Sequence, residues 1–272
     1  MDLLLDNSSE QPPRSRVALT RRIHWSDLGV QIGLIVVAAL LYFGVRYVTT
    51  GSQNVAVANA RRILDLEALL GIDVEQSIQA AAISSRAVVT LSNWIYMWAH
   101  WPVIIFTFAW LYFRAPRDYA RFRNALFVSG AVGLVVFALF PVAPPRLLHD
   151  GFVDTITEWS TSYRVLQPPS LINEYAAVPS FHVGWNLLAA IFLARNLGSS
   201  RWRFAPYLSP VAMSLAVVLT ANHYVLDTVA GALVASLGLW VGWRLAHPKI
   251  PVLGLPPHAE PAQEPVDETA GV

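Results

Sequence analysis

The amino-acid sequence predicts an all-α integral membrane protein: a six-transmembrane-helix bundle with an interfacial amphipathic helical segment. Three observations predict it. The chain is 55% hydrophobic and only 14% charged over 272 residues. Its apolar runs reach the roughly 20 residues that an α-helix needs to cross a bilayer. Its basic residues gather in alternate connections, as those of cytoplasmic loops do. Cysteine is absent, which excludes disulfides, thiolate nucleophiles and sulfur-based zinc sites. A net charge of +1 argues for no nucleic-acid partner.

Residues 1–22 are polar, with Pro12, Pro13, Arg14 and Arg16, and lack the apolar core and small-residue cleavage site of a secretory signal. A disordered cytoplasmic N-terminus without a cleaved leader is expected. The membrane domain then occupies residues 23–247. Its six spans are placed by apolar length at Leu28 to Val48, Asn93 to Phe113, Asn124 to Val142, Phe181 to Leu197, Phe204 to Thr220 and Tyr224 to Ala246, the fourth and fifth being short.

Between the first two spans, Ile63, Leu66, Leu69, Leu70, Ile78 and Ala82 recur at helical spacing opposite Arg61, Arg62, Asp65, Glu67 and Glu75. This segment, Asn54 to Ser84, reads as a helix lying in the interface, broken at Gly71, that braces the bundle rather than taking part in chemistry. The connection Ala143 to Val178 is rich in proline and polar groups, and a long connection of this kind in a compact protein is often functional; it is expected to cover the site. Residues 248–272 carry six prolines and no apolar period, and are expected to be a disordered tail.

With the N-terminus cytoplasmic, the inner side receives Arg14, Arg16, Arg21, Arg22, Arg114, Arg117, Arg121, Arg123, Arg195, Arg201, Arg203, Arg244 and Lys249, thirteen of the nineteen basic residues. Both termini are therefore expected inside, in the plasma (inner) membrane. The outer side keeps Arg46, Arg61, Arg62, Arg86, Arg146 and Arg164.

That orientation brings the chemically informative residues to one membrane level, on the outer face. Polar groups beside apolar runs are costly and mark function. His223 and Asp227 are four apart at the start of a helix, hence on one face, where the carboxylate can hold one ring nitrogen and leave the other free as a nucleophile. His182 lies on a different span near the first turn of its helix, where unpaired N–H groups favour anions; Ser180 adds a hydroxyl, and Pro179 is well placed to start the helix. Together with a nearby Arg these parts suit phosphoryl transfer: one histidine attacks phosphorus and the other protonates the departing oxygen.

Each part also has an ordinary use. His223 with Asp227 is a satisfactory hydrogen-bonded pair between helices, Pro-Ser is a common helix cap, and Arg146 suits an interfacial anchor. The coincidence of three chain segments at one level favours catalysis. His100, with Asn93 and Tyr96 on the same stretch, suits the lining of a substrate cavity and equally a packing hydrogen bond between helices, and is left outside the site. His149 and Asp150 read as solvated loop residues, and Trp159 and Tyr163 as headgroup-level aromatics.

Val178-Pro-Ser-Phe-His182 resembles the Pro-Ser-x-His motif of the type 2 phosphatidic acid phosphatase superfamily, and Asn222-His223-Tyr-Val-Leu-Asp227, followed by Gly231, resembles its His-x-x-x-Asp motif. More narrowly, Phe140-Pro-Val-Ala-Pro-Pro-Arg146 and the Leu-Glu-x-Leu-Leu-Gly segment at Leu66 to Gly71 look like the inositol phosphorylceramide synthase (inositolphosphotransferase) branch; the resemblance covers roughly Asn54 to Leu245. It implies a lipid phosphatase or phosphotransferase in which His223 is the nucleophile, forming a phosphohistidine. Asp227 orients it, His182 is the general acid, and Ser180 and Arg146 bind phosphate. The implied substrate is a membrane lipid, with an alcohol such as inositol as a possible acceptor and no metal or other cofactor.

The chain also departs from that pattern. The superfamily's first motif has a Lys seven residues before an Arg that precedes Pro; here Leu139 stands at the first position, and Leu147 follows Arg146. Its third motif has an Arg six residues before the nucleophile, where this chain has Val217. Arg123 lies across the membrane and Arg164 reaches the site only if the outer loop folds back. Fewer cations favour a singly charged diester over a dianionic monoester. The competing readings are a polar-lined transporter or flippase, against which the lack of an inverted repeat counts, a purely structural membrane protein, and a metal hydrolase on His182, His223 and Asp227, which lacks a local metal motif.

Overall fold

The computed structural model describes residues 25–48, 52–148, 150–160, 174–199 and 201–245. The expected disordered segments at 1–22 and 248–272, as well as His149, Tyr163 and Arg164, lie outside these residues. Described elements run in order α1 (Trp25–Val48), α2 (Gln53–Leu70), α3 (Glu75–Ile83), α4 (Arg86–Arg114), α5 (Pro116–Leu139), α6 (Thr155–Trp159), α7 (Phe181–Asn196), α8 (Leu208–Leu219) and α9 (Val225–Leu245). No strand occurs among them; the one isolated bridge pairs Val142 with Ala176.

Among the described residues, four stretches are long and apolar enough to cross a membrane: α4, α5, Arg201–Leu219, which adds the 3-10 turn Arg201–Tyr207 to α8, and α9. Many large apolar side chains stay exposed on them, such as Leu139 at 80% and Leu233 at 65%, as lipid-facing surfaces require. The described residues are all-helical outside their turns and connections, and these stretches fit a membrane protein. The apolar part of α1 is Leu28–Tyr42. The fourth expected span coincides with α7, whose 16 residues extend about 24 Å. The third expected span ended at Val142, yet α5 ends at Leu139, because Pro141 cannot continue the helix and Val142 leaves it to pair with Ala176. A π turn at Ile95–Ala99 interrupts α4.

The centre of the bundle is α9. Gly231, Ala235, Gly238 and Gly242 line one buried face of it, and small residues at this spacing let backbones approach closely. Gly238 and Gly242 sit against the backbone of α5, while Gly231 meets the backbone of Ser180 at the start of α7. An aromatic core of Phe122, Phe192, Tyr112 and Tyr119 packs where α4, α5 and α7 meet. The Arg123 guanidinium donates to Gln31 at 2.7 Å and to Asn124 at 3.0 Å.

The break expected at Gly71 is present. Gly71 takes φ 68°, a left-handed conformation that glycine adopts without the β-carbon penalty, and closes α2 before α3 begins. The polarity of the segment is a correction to the sequence reading. Leu66, Leu69 and Leu70 are exposed, whereas Glu67 and Glu75, expected on the polar face, are buried at 0% and 1%. The reason is that both carboxylates turn inward to the start of α9, where unpaired N–H groups need acceptors.

Candidate active site

Five sequence-selected residues, His223, Asp227, His182, Ser180 and Arg146, gather where the ends of α7, α8 and α9 meet the 3-10 turn Pro145–Leu147. The turn that carries His223 is built by the end of α8. Ala221 takes φ 52°, and the N–H groups of Asn222 and His223 both return to the Val217 carbonyl, at 3.0 and 3.1 Å. A non-glycine residue held in that left-handed region is strained and persists only when its surroundings fix it. Here the Ala221 carbonyl accepts the Arg146 N–H at 2.9 Å, which ties the turn to the arginine.

The His223 ring is buried. Its Nδ1 lies 2.8 Å from the Ala177 carbonyl and 3.3 Å from Asp227 Oδ2. Both are acceptors, so Nδ1 carries the proton in the neutral ring and Nε2 is left with its lone pair. The carboxylate expected to orient the ring therefore shares that task with a backbone carbonyl. Asp227 Oδ2 also accepts the Tyr224 N–H at 3.0 Å, capping the helix it belongs to. Ala177 is placed in turn by short extended pairing with Val142, whose neighbour Ala143 accepts the Tyr224 hydroxyl at 2.9 Å. Burial, then the Arg146 guanidinium, holds the His223 imidazolium well below the ordinary range, at about 4, while the Ala177 bond works the other way.

His182 reaches the same place from α7. Its ring centroid is 5.9 Å from that of His223, the planes tilted by 56°. Pro179 does not start this helix, as the sequence suggested: Ser180 occupies the cap position and Phe181 is the first helical residue. Nor does the Ser180 side chain cap it, for Oγ makes no capping bond and is buried without a partner. The Ser180 N–H instead donates to the Asp227 carbonyl at 3.1 Å, joining the two helix starts.

Arg146 presents a second unpartnered donor. Its Nε donates to Asn222 Oδ1 at 2.9 Å, and Asn222 is itself held by donating to the Thr220 carbonyl and hydroxyl, while Nη1 is buried with no partner. Leaving a buried donor unpaired costs about 1–3 kcal/mol. A buried hydroxyl and a buried guanidinium N–H, both without partners, suit an anion with several oxygens. The two departures in the motifs do not supply another cation: Leu139 is 80% exposed, and Val217 is fully buried against Met213.

Sequence reasoning missed four residues here. His100 lies against His182 with ring centroids 4.7 Å apart, and Tyr96 stacks on the His182 ring, also at 4.7 Å. Asn186 donates to the His182 carbonyl and bonds Nδ1 of His100 at 2.9 Å, and Ser209 donates to Asn186. Tyr96 with His100, and His182 with Asn186, are polar pairs four apart in apolar helices, a signal present in the chain but not tied to the motif. Asn93, by contrast, exchanges hydrogen bonds with Thr155 and belongs to the packing of α4 on α6.

No curated protein and no solved structure matches the chain. A family model described as the PAP2 superfamily matches residues 61–241, a stretch that contains both histidines, Asp227, Ser180 and Arg146. The match covers most of the chain and spans the elements that build the site, so the protein belongs to the PAP2 superfamily, whose chemistry is of the phosphatase type on phosphate esters.

Proposed function

We propose that this protein is a metal-independent membrane phosphotransferase that moves a phosphoalcohol head group, such as phosphoinositol, from a phosphodiester lipid to an alcohol through a phosphohistidine on His223. The observation that carries the reading is the approach of the His182 and His223 rings to 5.9 Å beside two buried, unpartnered donors, Ser180 Oγ and Arg146 Nη1. That separation leaves room for one phosphorus centre between an attacking and a protonating nitrogen.

In the first step the His223 Nε2 lone pair attacks phosphorus, the bond from phosphorus to the lipid oxygen breaks, and protonated His182 gives its proton to that oxygen. In the second, the acceptor O–H gives a proton to His182 as its oxygen attacks phosphorus, and the N–P bond breaks. Asp227 and the Ala177 carbonyl hold the proton of Nδ1, whose positive charge grows during the first step; Ser180 and Arg146 take the non-bridging oxygens. With Arg146 the cation at the site among the described residues, a donor bearing one negative charge is favoured over a dianion. Water in place of the alcohol releases the phosphoalcohol itself, a phosphodiesterase reaction; only a phosphomonoester donor would make the same enzyme a phosphatase.

The membrane setting completes the reading. The α1 and α7 helices supply the two spans that bring the total to six, both termini are cytoplasmic, and the site opens on the outer face of the plasma membrane. Exposed Leu66, Leu69 and Leu70 support an interfacial placement of α2.

The test uses a phospholipid labelled in its headgroup phosphorus. Label trapped on the wild-type protein, absent from His223→Ala and discharged faster by inositol or another alcohol than by water, is expected. Absence of any trapped label, or a strong rate preference for phosphatidate over a diester phospholipid, overturns the proposal.

A further inference from the structure

Two buried carboxyl groups from α2 and α3, Glu67 in the Leu66 to Gly71 segment and Glu75, hold the helix that carries Asp227. Glu67 Oε1 of α2 accepts the Leu226 N–H at 2.7 Å, and Glu75 Oε1 of α3 accepts the Val225 N–H at 2.8 Å. With Asp227 Oδ2 on the Tyr224 N–H, three carboxyl groups occupy three successive amides immediately after His223. A helix start needs acceptors, and water or a single capping side chain ordinarily supplies them. Here the acceptors come from two other helices, so the position of His223 depends on how α2 and α3 are seated.

The second oxygen of Glu67 is informative. Oε2 is buried with no hydrogen-bond partner among the described residues, and the two carboxyl groups are brought together by accepting from adjacent amides, Leu226 and Val225. Two ionised carboxylates cannot share a buried site, whereas one proton between them turns the unpartnered oxygen into a donor. The charged groups acting on Glu67 are Glu75 from α3 and Asp227 from α9, all acidic, and the Tyr224 hydroxyl lies at the same corner.

We infer that Glu67 and Glu75 are positioning residues, a carboxyl pair that holds one proton between them and thereby clamps the start of α9 in the geometry His223 needs. The inference rests on the proposed role of His223. Loss of the shared proton sets two anions against each other and a third, Asp227, and loosens the two bonds to Val225 and Leu226. Burial above all, then the neighbouring Glu75, pushes the Glu67 carboxyl up to about 8, so that the proton is kept at neutral pH and lost in mildly alkaline solution.

Two measurements on the full chain in detergent test this. The first is the pH profile of kcat. Glu67→Gln retains the acceptor for Leu226 and donates permanently to Glu75, so it is expected to keep activity at neutral pH within about threefold and to lose the alkaline fall near the Glu67 value. Glu67→Ala is expected to lower kcat by about tenfold or more, through displacement of His223. Wild-type and Glu67→Gln profiles that superimpose overturn the inference.

The second reads thermal stability against pH without substrate. A carboxyl group with a raised folded-state value binds its proton more tightly when folded, so its contribution to stability declines as pH rises from 4.5 to about 8 and is level above that. The difference in melting temperature between Glu67→Gln and wild type is expected to grow across that window, and a constant difference overturns the inference. This readout needs no turnover, so it fails separately from the phosphohistidine reading, whose failure shows as missing label at every pH.

Discussion

Gly231 lies directly beneath the Ser180 carbonyl, so close that a β-carbon at Gly231 would overlap the Ser180 oxygen and crowd its nitrogen. The contact joins the segment carrying Ser180 and His182 to the helix carrying Asp227, and the bond from the Ser180 N–H to the Asp227 carbonyl runs beside it. Separation of the two histidines is thus set by a backbone-to-backbone contact that only a residue without a side chain permits.

Gly231→Ala is therefore expected to push the start of α7 outward by a fraction of a methyl group's width. Displacements of about 1 Å at reacting groups cost on the order of a hundredfold in rate. A fall in kcat of about ten- to a hundredfold is expected, with the protein still inserted and helical. Turnover of a labelled phospholipid, with circular dichroism on the same sample, checks this; unchanged kcat would show that α7 and α9 are not seated by this contact.

The proposed acid role of His182 predicts a dependence on the leaving group. For an ordinary lipid alkoxide His182→Ala is expected to lose about 10²- to 10⁴-fold in rate, the usual contribution of general acid catalysis. A phenolate leaving group needs little protonation, so the loss should shrink markedly for an aryl phosphate ester. His223→Ala should abolish turnover of both. Equal losses for His182→Ala on the two substrates would rule out proton donation.

His223 is neutral at physiological pH, since burial and Arg146 hold it at about 4 rather than 6.5. As a group whose folded-state value is depressed, it binds protons more readily when unfolded; stability is unaffected above 6.5 and is lost as pH falls from there toward 4. The kcat/KM profile should accordingly stay level well below the ordinary imidazole range before its acid limb. An acid limb centred near 6.5 would contradict this, provided His182 is tested separately as His182→Ala.

Asn222 fixes Arg146 through a 2.9 Å bond to Nε. Hydrogen bonds to charged groups contribute about 1.5–3 kcal/mol, so Asn222→Ala is expected to raise KM by about ten- to a hundredfold, with a smaller effect on kcat. Arg146→Lys should behave similarly, because an ammonium cannot bond Asn222 and a phosphate oxygen in one plane. Steady-state kinetics on a diester phospholipid separates KM from kcat, and a pure kcat effect would assign Arg146 to the chemical step instead.

Much of the site was legible before any coordinates. Val178 to His182 and Asn222 to Asp227 contain four of the residues that meet at the candidate site, and helical spacing alone puts Asp227 on the face of His223. The sequence places Ser180 near the start of α7, where it occupies the cap position, whereas the helix begins at Phe181 and not at Pro179. Glu67 and Glu75 were misread because amphipathic spacing assigns carboxylates to water, and no local rule announces that a helix distant in sequence lacks acceptors. His100 was set aside for a related reason: a single histidine in an apolar helix carries no information about what faces it.

By itself, then, the order of residues determined the helices, the membrane character and the pairs four apart, since these depend on hydrophobicity and on a period of 3.6 residues. Tertiary structure decided which backbone groups were left to be satisfied and by whom. The Ala177 carbonyl on His223, the two glutamates on α9 and the bond from Asn222 to Arg146 all join residues far apart in the chain. Such bonds arise because buried polar groups must find partners wherever packing places them, and packing is a property of the whole fold.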